Sequence, residues 1–516
     1  MKENGKKINL EIILFTAIMI AGVFVRLWRF GDVPGGINQD EAFAGYEAYS
    51  ILHYGKDSFG YSMPVYLTAW GSGMNALNTY LMVPFIAVFG LKSWVIRMPQ
   101  VIVAILSLAV CYLLMKKLID SRMGLISMFI LAVVPWHIML SRWGLESNLA
   151  PGFLLFGLYF FVKGMDKSCY FIISALMYGL SLYSYATIWP FVPLMLLLQV
   201  SYAIYIKKIK FNKSTIISVI VLGVMALPLL LFLLVNTGRI NEIRTSFISI
   251  PKLLYFRGGE MSLSNIPDNF RNILNIVINQ TDGLITNVCD KYGIFYKITL
   301  FFFAAGLIIT VYKTIKAIIK KDKSGYPFIL IQFIGGLLLS LHISVNVNRA
   351  ISLMIAIVFI AAIGVCDIVK MIDWRAVIIP AAVYIVMFVS FSHFYFTEYN
   401  NIAGDAFCIG LEDAVEDAMK EDGTIYISSG VTHPRVMFYS RIPVDEYMES
   451  VIYNNYPGAF VGTDSFGRFN MNFDINTQID TDGVYILDKY TDATPLENSG
   501  FTSKRYGNFL LLKKSN

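Results

Sequence analysis

Lys6-Lys7-Ile8-Asn-Leu-Glu-Ile-Ile-Leu-Phe-Thr-Ala-Ile-Met-Ile-Ala-Gly-Val-Phe-Val-Arg-Leu-Trp28 runs straight into Gly31-Asp-Val-Pro-Gly-Gly-Ile-Asn-Gln-Asp40-Glu41-Ala-Phe-Ala-Gly-Tyr46-Glu-Ala48. About 20 apolar residues cross a hydrocarbon core, and Ile8–Trp28 has that length. Lys2, Lys6 and Lys7 precede it, which places the N-terminus in the cytoplasm. No small-residue cleavage site leads into a soluble chain, so the run reads as a retained helix and not a cleaved signal peptide. The stretch from Gly31 then starts at the outer membrane surface, and two adjacent acids there need a reason.

Ten further apolar runs lie near 95–115, 123–140, 150–163, 169–186, 188–206, 214–236, 296–316, 326–343, 350–370 and 376–396. Basic residues follow alternate runs: Lys116, Lys117 and Arg122; Lys163 and Lys167; Lys207, Lys208, Lys210 and Lys213; the lysines of 313–323; and Lys370 with Arg375. Every cluster falls on the side of the N-terminus, so eleven spans send the C-terminus outside. Two long segments, 31–93 and 236–295, also fall outside. Ala76–Phe89, interrupted by Pro84, is short for a span and reads as an interfacial helix.

The composition agrees. Of 516 residues, 56% are hydrophobic and 15% charged, where soluble domains carry about 25% charged residues. The net charge of +6 conceals two unlike parts. From Thr397 onward there are nine basic and eighteen acidic residues; the preceding part holds 33 and 18. The expected architecture is an all-α polytopic membrane domain of about eleven helices over 1–396, followed by a small extracytoplasmic α/β domain over 397–516. In the tail, Leu411–Met419 reads as a polar helix, and Thr424–Ser428, Val484–Leu487 and Phe509–Leu512 read as strands. Asp422-Gly423 and Asp482-Gly483 mark turns.

Several function classes drop out. No basic patch lies away from the flanks of apolar runs, so nucleic acid is not an expected partner. The five cysteines form no CxxC pair. A disulfide between Cys289 and Cys408 has nothing else to suggest it. There is no glycine-rich phosphate loop and no dinucleotide fingerprint. A transporter or lipid flippase, the alternative reading, calls for ionisable residues in mid-helix and repeated halves; the helix interiors are nearly free of Asp and Glu, and no repeat is visible. A wall-polymer polymerase or ligase remains a further alternative.

On residue chemistry alone, Asp40 and Glu41 admit two readings. They could stabilise the dipole of a helix running through Ala48, or supply a base and a neighbour that tunes it. The order of motifs extends the second reading. Gly55-Lys56-Asp57, Pro64-Val-Tyr66, Tyr80-x-x-x-Pro84, Arg97-x-Pro99, Pro135-Trp136-His137-x-x-x-Ser141-Arg142-x-x-x-Glu146 and Asn346-Val-Asn348-Arg349 follow in turn. Together they resemble the C-type membrane glycosyltransferases, in the branch that contains protein O-mannosyltransferases and the lipid A aminoarabinose transferase.

The resemblance implies transfer of a sugar from a polyprenyl-phosphate donor, undecaprenyl phosphate for a bacterial chain, to an acceptor outside the cytoplasm. That acceptor is a wall polymer, a lipid-linked glycan or a protein. It implies a multi-pass plasma-membrane protein with its site on the extracytoplasmic face and direct displacement with inversion. By motif position Asp40 is the base, Glu41 its neighbour, and Glu146 the second acid of the site. A phosphate leaving group calls for cations, and a guanidinium suits it bidentately. Arg142 and Arg349 are favoured, with Lys56 and Arg97 also facing outward.

Each of these has a plainer reading. Arg142 and Glu146 stand at helical salt-bridge spacing, and Arg349 could anchor a helix end. His53 and His137 read as interfacial before ligand. Tyr183, Tyr185 and Trp189 suit an aromatic belt or a sugar pocket, and Tyr46, Asp57 and Asn348 complete the pocket candidates. Asp282, Asp290 and Tyr292 could face the acceptor. Asp40, Glu41 and Glu146 admit a divalent cation such as Mg2+ or Mn2+, without diagnostic spacing.

Overall fold

The computed structural model describes residues 2–258, 263–476 and 479–514. All eleven apolar runs are helical. They form α1 (Lys2–Leu27), α4 (Met98–Leu118), α5 (Ser121–Val133) with α6 (Pro135–Leu140), α7 (Ala150–Gly164), α8 (Tyr170–Leu182), α9 (Ile188–Tyr205), α10 (Lys213–Asn236), α12 (Ile298–Lys320), α13 (Tyr326–His342), α14 (Ile351–Ile372) and α15 (Ile378–Thr397). Between them lie α2 (Gln39–Tyr54), α3 (Leu77–Phe89) and α11 (Ile266–Leu274). The interfacial helix expected at 76–89 is α3.

Among the described residues, seven helices are long and apolar enough to cross a membrane: α1, α4, α9, α10, α12, α14 and the stretch Trp374–Thr397 around α15. The chain is an integral membrane protein. The third run is split because Val134 precedes Pro135 and adopts extended backbone, ending α5 after 13 residues. With α7, α8 and α13 at 15, 13 and 17 residues, four of the expected spans are shorter than a full crossing.

α14 is apolar on every face, so it sits at the centre of the bundle with all of Ile351–Cys366 buried. α12 crosses it at close range. A Cβ on Gly306 would meet the Ile360 carbonyl at 1.9 Å, and one on Gly364 the Phe302 carbonyl at 1.9 Å, so both positions must be glycine.

The basic loops gather at one end of this bundle, as the charge pattern requires. Asp166, after α7, pairs with Lys117 in the last turn of α4 at 2.5 Å and with Lys208 after α9 at 3.3 Å. Tyr202 donates to Ser324 O, after α12, at 2.9 Å. At the opposite end sit the first long segment, the second long segment and the tail.

The tail holds α16 (Tyr399–Ala403), α17 (Leu411–Ala418), α18 (His433–Ser440), α19 (Val444–Ser450) and α20 (Thr494–Asn498). Its strands are β5 (Ile425–Ile427), β6 (Ile452–Asn454), β7 (Gly462–Phe466), β8 (Phe469–Asn470), β9 (Val484–Asp488), β10 (Phe501–Tyr506) and β11 (Phe509–Lys514). They form one sheet in the order β10-β11-β9-β5-β8-β7-β6, parallel only where β5 meets β8 and β9. The three expected strands are β5, β9 and β11, and α17 is the expected helix. The other strands are short or polar and carry little alternation.

The tail begins where α15 ends, yet its core is not separate. Phe43, Tyr46 and Ile96 share one buried cluster with Val436, Phe438, Ile442 and Phe466. Cys289 and Cys408 are both free thiols and make no disulfide.

Candidate active site at the start of the first long segment

α2 starts at Asn38 with a capping box. The Asn38 side chain accepts from Asp40 N at 3.0 Å, and Glu41 Oε1 accepts from Asn38 N at 2.9 Å. The local sequence therefore turns two successive acids in different directions. Glu41 goes inward, where it is fully buried. Its Oε1 takes Arg97 Nη2 at 2.5 Å, and its Oε2 takes Arg97 Nε at 3.0 Å and Gly144 N at 2.6 Å. Arg97 spends its other donors on Pro34 O at 2.7 Å and Gly36 O at 2.8 Å. A bidentate, buried pair with every oxygen occupied is scaffolding. Arg97 does not face outward, and Glu41 has no capacity left for substrate or cation.

Asp40 is half-buried and meets one side-chain donor, Trp70 Nε1, at 3.3 Å. Loss of water raises its carboxyl above the usual range. The Trp70 N–H and the Arg435 charge work against that rise, and Glu41 adds to it. Trp70 stands at the tip of the hairpin joining β1 (Tyr66–Leu67) to β2 (Met74–Asn75). Its own φ of +54° is left-handed and strained, and its neighbours Gly71 and Gly73 have φ of +97° and +90°. The tip is held from outside: Val461 N donates to Trp70 O at 2.7 Å, and Tyr255 N to Gly71 O at 2.9 Å.

Glu146 begins the short 3-10 turn Glu146–Leu149 that leads into α7. Its Oε2 accepts from the backbone N–H of Asn75. Burial pushes its carboxyl well above the usual range, and the Asp40 charge adds to that push. The Asn75 side chain is buried beside Glu146. Tyr66 and Tyr185 both lie within the electrostatic reach of Glu146 and of Arg257, and Tyr185 also hydrogen-bonds Arg349. The structure therefore brings together Asp40, Glu146, Arg349 and Tyr185 from the sequence reading. It adds Trp70, Asn75, Tyr66 and Arg257, and, from the tail, His433 and Arg435.

Other candidates are placed elsewhere. Arg142 is a correction: its Nε and both Nη atoms donate to the carbonyls of Val33, Val25, Arg26, Trp28 and Arg29 at 2.7–3.1 Å. It satisfies the C-terminal end of α1 and leaves no donor for phosphate. It makes no pair with Glu146, because α6 stops at Leu140 and the two do not share a helix. Lys56 pairs with Asp445 of the tail. Tyr46 donates to Ile442 O at 2.8 Å, docking the same domain. His53 is exposed and packs on Tyr49 with ring centres 4.4 Å apart. Asp57 shapes a turn, accepting from Phe59 N and Tyr61 N at 3.0 and 2.8 Å. His137 is buried against Arg26, 2.7 Å from its Nη2. Tyr183 donates to Met225 O at 2.7 Å. Asn348 lies half-buried in the turn before α14. Asp282 accepts from Val347 N at 2.9 Å, Asp290 from Thr281 Oγ1 at 2.5 Å, and Tyr292 donates to Ser390 O at 2.9 Å, so all three brace local structure. With Glu41 engaged by Arg97, the trio Asp40, Glu41 and Glu146 is not assembled as a ligand set. Among the described residues no three His, Cys, Asp or Glu side chains converge.

Of the residues missed by sequence reading, Trp70 carried a signal in Trp-Gly-Ser-Gly, a glycine-flanked aromatic inside an outer segment. Arg257, His433 and Arg435 carried none, being brought in from distant parts of the chain.

Comparison with known proteins adds the following. The profile of the family described as dolichyl-phosphate-mannose-protein mannosyltransferase matches residues 77–234, under a third of the chain, which includes Glu146 and Tyr185 but not Asp40. ArnT from Cupriavidus metallidurans bound to undecaprenyl phosphate superposes with a TM-score of 0.61 at 12% identity, covering 97% of each chain. Its apo state gives 0.60 at 12% identity and the same coverage. The archaeal oligosaccharyltransferase AglB from Archaeoglobus fulgidus, in complex with an inhibitory peptide and a dolichol-phosphate, gives 0.47 at 13% identity; the match covers 84% of this chain, which spans 64% of that protein. Comparison with curated protein sequences returns no significant match. The chain has the fold of ArnT and resembles the C-type membrane glycosyltransferases in the branch of the protein O-mannosyltransferases.

Proposed function

We propose that this protein moves a sugar from a polyprenyl-phosphate donor to a hydroxyl-bearing acceptor at the end of the bundle where the tail sits, with Asp40 as the base. The observation that carries the reading is the contrast within one capping box: Glu41 is saturated by Arg97, while Asp40 is desolvated with a single side-chain donor. A carboxylate held on a rigid helix start with spare acceptor capacity can take a proton.

The acceptor oxygen attacks the anomeric carbon and its proton passes to Asp40. The bond from that carbon to the phosphate oxygen breaks, and the electron pair leaves with the polyprenyl phosphate. Arg349 and Arg257 are the cations suited to the charge that develops there. Two neighbouring carboxyls pushed unequally divide the work. Glu146, pushed up more strongly, retains its proton and donates a hydrogen bond to the donor, leaving Asp40 to carry the negative charge. Lysine-rich loops at the far end of the bundle support a site on the outer side of the plasma membrane. The Cupriavidus ArnT was solved with undecaprenyl phosphate, which supports a donor of that lipid class.

The test is label transfer by purified protein in detergent. Radiolabelled polyprenyl-phosphate sugars are offered singly, with membrane extract as acceptor. Label reaching product with the wild type but not with Asp40→Asn supports the reading; no transfer from any monophosphate donor defeats it.

A further inference from the structure

The tail enters the site through α18. His433, its first residue, is only 8% exposed, and its ring lies edge-on to Trp70 with centres 5.3 Å apart. Trp70 is the residue that bonds Asp40. Neither ring nitrogen of His433 makes a hydrogen bond among the described residues. Those nitrogens therefore keep their hydrogen-bonding capacity for a group that enters the site. The neighbour two residues on shows the contrast: Arg435 is fully engaged, donating to Ile37 O at 3.1 Å, Thr432 Oγ1 at 3.2 Å and Ala406 O at 3.1 Å.

Burial holds His433 uncharged, with its imidazole pushed down to about 3. An uncharged imidazole offers one donor and one acceptor. That suits a hydroxyl, not a phosphate. Arg349 groups with Glu146 and Tyr185, so His433, reached through Trp70, belongs to the acceptor side. Beyond Trp70 the tail presents further aromatic faces. Phe460, next to the Val461 that bonds Trp70 O, is 66% exposed with Arg257 5.5 Å over its ring; Tyr456 is 57% exposed and stacks on Tyr453 at 5.6 Å. Sugar rings stack on such faces.

We propose that His433 binds a hydroxyl of a glycan acceptor, so that the tail selects what is glycosylated. This rests on the transfer reading above. The experiment uses full-length protein in detergent, a labelled undecaprenyl-phosphate sugar that the wild type consumes, and two probes as acceptor: the lipid-linked glycan fraction and the protein fraction of bacterial membranes. His433→Ala is expected to raise the half-saturating amount of glycan fraction at least tenfold while undecaprenyl-phosphate binding stays within twofold. His433→Gln, which keeps an uncharged donor and acceptor, should recover most of that loss.

Unchanged half-saturation in His433→Ala overturns the proposal, as does loss of undecaprenyl-phosphate binding in both variants or label entering only the protein fraction. A wild type that transfers nothing defeats the transfer reading and this inference with it. An active wild type with an indifferent His433→Ala defeats this inference alone.

Discussion

Asp40 and Glu41, successive residues at one helix start, sit in regions that behave oppositely. Around Glu41 every polar atom is spoken for: Arg97, Gly144 N and Asn38 N converge on one carboxylate, and the pair is fully buried. Around Asp40 and Glu146 the carboxyls are half-buried, raised by loss of water, and under-bonded, with His433 beside Trp70. Burial alone therefore does not separate structure from chemistry. Saturation does, because an occupied oxygen has no capacity left for a substrate, while a desolvated and unoccupied one is costly unless a ligand repays it.

The contrast is sharpest in mutants that treat the two acids alike. Asp40→Asn should lower transfer by about a hundredfold to ten-thousandfold, the usual worth of a positioned base, with the melting temperature unchanged. Across pH, wild-type rate should fall as pH falls through the raised Asp40 value, since protonation removes the base; the acid limb then lies above the ordinary aspartate range. A limb at the ordinary position would break the comparison.

Arg97→Leu strands Glu41 in the core. Removing one partner of a buried pair costs about 3–5 kcal/mol, so expression and melting temperature should collapse before activity can be assayed. A well-folded Arg97→Leu protein would show that the saturated region is dispensable scaffolding.

Arg349→Ala should weaken donor half-saturation by about tenfold to a hundredfold, as for a charge-assisted hydrogen bond, and leave acceptor half-saturation alone. An effect on acceptor instead would relocate the phosphate.

The smallest effect concerns Glu47 and Asp57, a buried carboxyl pair one turn and more beyond Glu41. Burial raises both, the Asp57 charge raises Glu47 further, and Asp57 Oδ2 makes no hydrogen bond among the described residues. The folded state then binds more protons than the unfolded one, so stability is fullest at acid pH and declines as pH rises past the ordinary carboxylate range. Glu47→Gln should flatten that decline by a few degrees of melting temperature between pH 5 and 9. An unchanged slope would assign it elsewhere.

Much of the fold was legible because its signals are local. Apolar runs of helical length, lysines at their ends and a proline at 135 act within a turn or two of themselves, and the Asp166 pairs with Lys117 and Lys208 show the basic loops meeting as read. The site was half legible. Asp40, Glu146, Tyr185 and Arg349 come together in one candidate site, but Arg142 and Lys56 are engaged elsewhere, because a long cation reaches whichever acceptor the fold brings near. For Arg142 those acceptors lie 109–117 residues away.

By itself the sequence determined the helical membrane class, the position of the acidic pair at a helix start and the acidic character of the tail. Each follows from hydrophobicity, charge or capping within a short window. Only the tertiary structure decided which of the two acids is free, because that choice rests on Arg97, 56 residues from Glu41. It also decided that the tail reaches the neighbour of Asp40, since Trp70 and His433 meet across more than 300 residues of chain that no local pattern could have joined.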